Sequence, residues 1–306
     1  MKAITLDKYG SADDLQVVEM PEPKVGPAEV LVRVKAAGVN PVDWKLAAGY
    51  LDPVMEVRFP LISGWDVAGV VEAVGMDAGE FAVGDEVYGY IRKDWAQNGA
   101  YAELVAANVR MLAAKPASLS WEQAAGVPLA GLTAYQSLRR VGVGPGDTVL
   151  VHAAAGGVGT FGVQIAVTLG ARVIGTASER NHDFLRSLGA EPVTYGEGLA
   201  DRVRGLAPDG VDAVLDFVGG DAVETSLPLV RRPDRVVSIA SGEAEKHGGH
   251  LLWVRPDSAG LAELAELADA GELTTHVEHT LPLEQAAEAW RLNESGRTRG
   301  KIVLTV

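Results

Sequence analysis

Side chains able to do chemistry are few in this sequence, and they gather in two places. Near the start, Asn40-Pro41-Val42-Asp43-Trp44 sets an amide and a carboxylate beside an aromatic ring in an otherwise apolar stretch. An amide N–H donates to an oxygen that gains negative charge, and a carboxylate holds a proton, so the pair suits the polarisation of a carbonyl. The competing reading makes Asn40 and Asp43 turn residues that satisfy nearby backbone. Mid-chain, Thr148 to Gly162 reads TVLVHAAAGGVGTFG, an apolar run that breaks into glycines and continues as a helix-compatible segment. Within it, Gly157-x-Gly159-x-x-Gly162 has the spacing of a dinucleotide-binding turn between a strand and a helix. In that reading the first glycine permits the turn. The second lets backbone approach a pyrophosphate, and the third lets the helix lie close to the sheet. The helix N-terminus offers N–H groups and a positive dipole end to the phosphates.

The strand after the fingerprint ends near Thr176-Ala177-Ser178-Glu179-Arg180. An acid at that strand end bonds the ribose 2′-OH of NAD. With Ser178 there instead, and Arg180 two residues on to pair with a 2′-phosphate, NADP is favoured over NAD. If the strand ends one residue later, Glu179 becomes a ribose acceptor. A third reading makes Ser178 and Glu179 the cap of the next helix, compatible with either cofactor. A bound nicotinamide points to hydride transfer, in which the protein positions substrate and polarises it. Asn40, Asp43 and Tyr50 are then the candidate catalytic side chains. Trp44, Tyr50, Trp65, Trp95 and Trp253 are candidates for walling a pocket around a flat, apolar substrate, with core packing as the alternative for each.

Metal is disfavoured. The sequence has no cysteine, which rules out disulfides and thiolate ligands. Its only close histidine pairs are His247-x-x-His250 and His276-x-x-His279. The first lies in a glycine-rich loop, and the second flanks a strand with no acidic partner placed to complete a tetrahedral site. A net charge of −14 without a basic block weighs against nucleic acid and anionic membranes. The N-terminus lacks a signal peptide's apolar core, so the cytoplasm is the expected compartment. Thr148 to Ala171 contains no Asp, Glu, Lys or Arg and is long enough to span a bilayer, but its glycines and strand-then-helix pattern favour a buried unit.

The elements that must position these groups differ between the two ends. The first 115 or so residues read as short strands with frequent turns, as in a barrel-like domain. Candidate strands are Val30 to Lys35, Val67 to Val74, Glu86 to Tyr90 and Ala100 to Val105. Ser120-x-x-Gln123 is a capping box that opens a helix, which Pro128 and Gly131 are expected to interrupt before helix resumes at Ala134. From Thr148 strands alternate with helices, predicting a doubly wound parallel sheet. A helix over Ser258 to Ala270, another after Pro282 and a strand over Lys301 to Val306 close the chain.

Taken in order, several runs resemble the medium-chain dehydrogenase/reductase superfamily, and within it the zinc-independent quinone oxidoreductase branch. They are Met1-Lys2-Ala3, Ala37 to Asp43, Gly64-Trp65-Asp66-Val67-Ala68-Gly69-Val70-Val71, Gly84 to Val87, Gly99-Ala100-Tyr101-Ala102-Glu103, Ala130 to Ala134, Ala153 to Gly162, and Gly300 to Leu304. The match spans nearly the whole chain. It implies an α/β protein with a GroES-like β-barrel-like catalytic domain (1–118, completed by a returning segment, 253–306) and a Rossmann domain (119–252). It implies Asn40 and Thr133 near the nicotinamide, and Gly156, Gly157, Val158 and Gly159 at the pyrophosphate. Ser178 and Arg180 fall at the 2′-phosphate, Tyr195 on the adenosine side, and Phe217, Val218, Ala240 and Ser241 along the cofactor, with Lys301 reaching it from the tail. Zinc-dependent relatives carry a cysteine where Asn40 stands and a histidine where Trp65 stands, so no zinc is expected. A lysine common at the 2′-phosphate position is missing here. The implied activity is NADPH-dependent hydride transfer to a quinone or an α,β-unsaturated carbonyl compound by a homodimer. The alternatives are an enoyl thioester reductase and a non-catalytic NADPH-binding protein of the same fold.

Overall fold

The longest strand, Glu29–Val39, shows how the sequence builds the first unit. Along its first half Val30, Val32 and Val34 are buried while Arg33 and Lys35 reach solvent, the alternation of a half-covered strand. From Ala36 to Val39 every residue is buried, so this end is covered on both faces. A computed structural model describes the whole chain, Met1–Val306. Glu29–Val39 sits inside a seven-stranded sheet running Val277–Pro282, Lys301–Thr305, Glu29–Val39, Asp66–Val74, Glu86–Tyr90, Leu112–Ala114, with Leu104–Asn108 also paired to it. A four-stranded sheet, Gln16–Glu19, Lys2–Leu6, Glu56–Ile62, Trp95–Asn98, accompanies it. This unit comprises Met1–Leu132 and Arg255–Val306.

The second unit is Thr133–Val254. Its six strands run in the order Ala190–Val193, Arg172–Thr176, Thr148–Val151, Ala213–Asp216, Val236–Ser238, His250–Leu251, and every pairing is parallel. Val149, Leu150 and Val151 are fully buried, as a central strand with helices on both faces requires. Leu150 and Ile174 join Val203, Val211, Val214 and Val236 in one core. The charge-free stretch from Thr148 resolves into a four-residue strand and a 12-residue helix, Gly157–Thr168. No helix of the chain is long and apolar enough to cross a membrane.

Three expectations need correction. Gly131 does not interrupt a helix: Pro128–Arg140 is one helix that starts on its proline and runs through it. A Cβ at Gly131 would lie 2.9 Å from Val127 and 3.1 Å from Leu264, so the glycine serves close packing. The strand expected over Ala100 to Val105 begins at Leu104, and Ala100–Glu103 is bound to the Lys2–Leu6 strand through Tyr101 and Glu103 instead. The glycine-rich segment around His250 contributes a short edge strand, His250–Leu251, too brief for a periodic signal. Leu150→Ala is expected to remove about 2–5 kcal/mol of stability by leaving a cavity at the centre of the parallel sheet. Guanidinium unfolding measures it, and a loss under about 0.5 kcal/mol, typical of surface changes, would contradict this account of the core.

Candidate active site

Strand register brings together three residues far apart in sequence. Ile302 pairs with Val39 and Asp66 pairs with Gly38, so Lys301, Asn40 and Asp66 stand side by side at one end of three adjacent strands. Asn40 occupies the middle. Its Oδ1 accepts from Lys301 Nζ at 2.5 Å, and its Nδ2 donates to Asp66 Oδ2 at 2.8 Å. Lys301 Nζ also donates to the Val39 carbonyl (3.2 Å) and lies 3.9 Å from Asp66 Oδ2. Asp66 Oδ1 accepts the Leu129 N–H at 2.7 Å. Pro41 has no N–H to offer and fixes the start of the helix Pro41–Ala47, which turns Asp43 back toward Asn40. Asp43 Oδ2 accepts the Asn40 backbone N–H (2.8 Å) and the Tyr101 hydroxyl (2.9 Å). Gly64 makes room for that tyrosine. Its φ is +86°, and a Cβ there would stand 2.3 Å from the Tyr101 ring.

The Asp43 carboxylate satisfies nearby backbone as the turn reading expects, while the Asn40 side chain spans an ammonium and a carboxylate. Asn40, Asp43, Asp66 and Lys301 are all at most 3% exposed. Burial pushes the Asp43 carboxyl up to about 7, against the hydrogen bonds from Asn40 and Tyr101. It pushes Asp66 up to about 6, against the attraction of Lys301. Burial lowers Lys301, and the two aspartates oppose that shift. Burial raises Tyr101 as well, which keeps its hydroxyl a donor.

The aromatic candidates of the first unit do not form one wall. Trp65 and Trp95 share a cavity of about 170 Å³ with Arg58, Lys93 and Gln97, and the Arg58 guanidinium lies over the Trp95 ring at 4.7 Å. That cavity has a charged rim that an apolar pocket reading did not include. Trp44 is directed to the helix Ala286–Glu294, where its indole N–H donates to Asn293 at 3.0 Å. Tyr50 and Trp253 are 69% and 52% exposed.

In the second unit the parallel topology gathers the cofactor candidates at the carboxyl ends of the strands, where ligands of doubly wound sheets bind. The loop Ala153–Gly156 follows Thr148–Val151, and Ser178 and Arg180 follow Arg172–Thr176. Tyr195 follows Ala190–Val193, Phe217 and Val218 follow Ala213–Asp216, and Ala240 and Ser241 follow Val236–Ser238. Thr133 instead lies buried in the helix Pro128–Arg140. The first fingerprint glycine does not supply the turn expected of it. Gly157 is the first residue of the helix, and the left-handed turn position is taken by Ala153, at φ 51°. Ala153 is held there by its N–H on Thr176 Oγ1 and its carbonyl on the Gly156 N–H. A Cβ on Gly159 would stand 2.2 Å from the Ala153 carbonyl oxygen, and one on Gly162 would stand 2.8 Å from Phe217. Gly156 caps the helix without a side chain, so the first helical N–H groups, at Gly157 and Val158, have no side-chain acceptor. A helix start of this kind could hold a phosphate.

Asp216 went unnoticed in the sequence. Its Oδ1 accepts the N–H groups of Val218 and Gly219, and its Oδ2 accepts the Ser238 hydroxyl, whose oxygen accepts the N–H groups of Ala240 and Ser241. Two of the strand-end loops are thus tied together by one buried carboxylate. The signal was an acid closing an apolar strand, Ala213-Val214-Leu215-Asp216.

Comparison with known proteins identifies the family. A family model described as the alcohol dehydrogenase GroES-like domain matches residues 26–117, and one described as zinc-binding dehydrogenase matches residues 188–304. The chloroplastic quinone-oxidoreductase of Triphysaria versicolor is 32% identical, covering 99% of this chain and 98% of the relative. The 2-methylene-furan-3-one reductase of Solanum lycopersicum is 33% identical over 99% of this chain and 79% of its own length. A mycobacterial structure complexed with NADPH superposes with a TM-score of 0.86 at 32% identity, over 100% of both chains. The chain belongs to the medium-chain dehydrogenase/reductase superfamily, in its quinone oxidoreductase-like branch. It is an oxidoreductase.

One matched model of this superfamily carries zinc in its description, and the residues around Asn40 do not fit that ion. Zinc takes thiolate, imidazole or carboxylate donors in a tetrahedral set. Here the Asn40 oxygen is taken by an ammonium, the Asp66 carboxylate by two N–H groups, and position 65 by an indole. No three His, Cys, Asp or Glu side chains converge anywhere in the chain in a way that could hold a metal.

The raised Asp43 carboxyl sets the sign of a pH effect. A folded-state value near 7 against an ordinary 3.8 means that the folded chain binds the extra proton, so this group's contribution is complete at low pH and is lost as pH rises toward 7. Both donors reach the same oxygen, Oδ2, so an amide at this position keeps both hydrogen bonds. Asp43→Asn is expected to flatten the fall in unfolding midpoint between pH 3.8 and about 7. Parallel midpoint curves for the two proteins would remove Asp43 from the titration.

Proposed function

We propose that this oxidoreductase uses NADPH, without zinc, to reduce a quinone or an α,β-unsaturated carbonyl compound. The observation that carries the reading is the fixed Asn40 amide. One Nδ2 hydrogen is committed to Asp66, which leaves the second as a donor for a substrate oxygen. Bound NADPH supplies the hydride. Gly156, Gly157, Val158 and Gly159 hold the pyrophosphate, and Ser178 with Arg180 reads the 2′-phosphate. The Ala240 and Phe217 loops, tied by Asp216, line the cofactor. The free Asn40 N–H stabilises the charge that develops on the substrate oxygen, and water returns the proton. The names of the relatives support the substrate class: one is a quinone-oxidoreductase and one reduces a methylene-furanone, a conjugated ketone. NADPH is supported by the mycobacterial complex. Within the same proposal the enzyme is a cytoplasmic homodimer. The edge strand His250–Leu251, with Leu251 and Trp253 exposed beside it, supports the pairing.

Loss of one such donor typically raises a barrier by about 2.7–4 kcal/mol, so Asn40→Ala is expected to slow turnover roughly a hundredfold or more. A panel of quinones, enals, enones and enoyl thioesters, read by NADPH depletion, gives the measurement. Near-normal turnover in the variant removes the amide from the mechanism, and no depletion across the panel removes the reductase reading. Arg180→Ala is expected to raise the Michaelis constant for NADPH about tenfold while leaving that for NADH within about twofold, since only NADPH carries the 2′-phosphate that a charge-assisted contact reads. Equal effects on the two would turn the preference over to Glu179 and NAD.

A further inference from the structure

We propose that Lys301 is a positioning residue that, with Asp66, sets which end of the Asn40 amide is left to face a ligand. The sequence pointed Lys301 at the cofactor. The structure binds its ammonium to Asn40 Oδ1 and the Val39 carbonyl and leaves the residue 3% exposed. This inference rests on the proposed role of Asn40.

The argument is one of donors and acceptors. An ammonium only donates, an ionised carboxylate only accepts, and an amide has one end of each kind. Set between the two, the Asn40 amide has one compatible orientation, oxygen to Lys301 and nitrogen to Asp66. The reversed amide would press NH₂ against NH₃⁺ and a carbonyl against a carboxylate. Lys301 also acts through Asp66. Its charge, 3.9 Å away, favours the ionised carboxylate against the pull of burial. Without the ammonium, Asp66 takes up a proton and gains an O–H that serves an amide oxygen as well as its remaining lone pairs serve an amide nitrogen. A methionine in place of Lys301 has no hydrogen to give and a weakly accepting sulfur, so the Asn40 amide turns its oxygen to that O–H and its nitrogen to the sulfur, and offers a ligand an acceptor in place of a donor. The backbone of Asn40 stays where Asp43 holds it, so the effect falls on the amide and not on the loop.

The test uses Lys301→Met, Asn40→Ala and the double variant, with turnover of a naphthoquinone and the NADPH dissociation constant from fluorescence titration. Lys301→Met is expected to lower kcat roughly a hundredfold, the scale of losing one preorganised donor. The dissociation constant should stay within about threefold, because Lys301 acts on the amide and not on the cofactor. Adding Lys301→Met to Asn40→Ala should cost nothing more, since residues that act as one unit are non-additive. A tenfold weaker grip on NADPH with kcat unchanged returns Lys301 to the cofactor. Losses that multiply in the double variant mean that the lysine acts independently of the amide. Either result overturns this inference and leaves the proposed function standing. Near-normal turnover in Asn40→Ala alone removes both. If Lys301→Met fails to fold with its buried carboxylate unpaired, Lys301→Met with Asp66→Asn removes both charges. That variant should show the same loss of kcat with a wild-type circular dichroism spectrum, and normal kcat in it overturns the inference.

Discussion

An amide clamped between a buried ammonium and a buried carboxylate is the constraint from which the rest of the first unit follows. Removing either charge from such a pair typically destabilises a protein by about 3–5 kcal/mol, because the remaining charge is stranded away from water. The three groups meet only if the C-terminal strand, the Glu29–Val39 strand and the Asp66–Val74 strand hold their register to the residue. A slip of one position would turn Asn40 to the opposite face of the sheet and leave Lys301 and Asp66 without the group that bridges them. Glycines at the crowded points serve the same end. A Cβ at Gly38 would stand 2.4 Å from the Ala125 carbonyl and 2.9 Å from the Asp66 side chain. The chain thus closes its last strand onto its own early sequence, and the site is a by-product of that closure.

Periodicity made the second unit legible because its strands are buried on both faces and separated by helices. Apolar runs such as Thr148–Val151 and Arg172–Thr176 stand out under those conditions. The first unit was read less well. Glu56–Ile62 carries a proline and alternates partly buried with exposed residues, while Trp95–Asn98 has one fully buried residue in four. Neither has a signal that separates it from a loop. At the site, Asn40 and Asp43 were found because they interrupt apolar sequence. Asp66 and Tyr101 stood in the family motifs without a role, since nothing local says that a carboxylate at position 66 faces an amide at position 40. Lys301 is expected at the cofactor from its motif, and the contact its ammonium makes with Asn40 has no local signal. A contact across 261 residues depends on strand order, which sequence spacing does not encode.

The glycine fingerprint shows that a motif and its mechanics are separable. Its spacing located the loop correctly, yet the turn conformation that glycine was expected to supply falls on Ala153. A non-glycine residue in the left-handed region costs of order 1–3 kcal/mol and persists where neighbours over-determine it. Here Thr176 and Gly156 grip the peptide from both sides. The fingerprint glycines at 159 and 162 are needed for what presses against them, the Ala153 carbonyl and the Phe217 ring.

The clamp also bears on which substrates the proposed reductase takes. A metal acts as a Lewis acid that draws charge directly from a carbonyl oxygen, whereas one amide N–H contributes about 2.7–4 kcal/mol to a developing oxyanion. The cation beside Asn40 is a buried ammonium that donates to Asn40 Oδ1 and the Val39 carbonyl, and in the proposed role it orients the amide. Reduction of an isolated ketone builds a localised alkoxide, which asks for more stabilisation than that. Hydride addition to a quinone or an enone spreads the charge over a conjugated system and leaves a smaller demand on the protein. In the proposed reductase, an oriented amide would therefore match acceptors that carry much of the stabilisation in their own π-system.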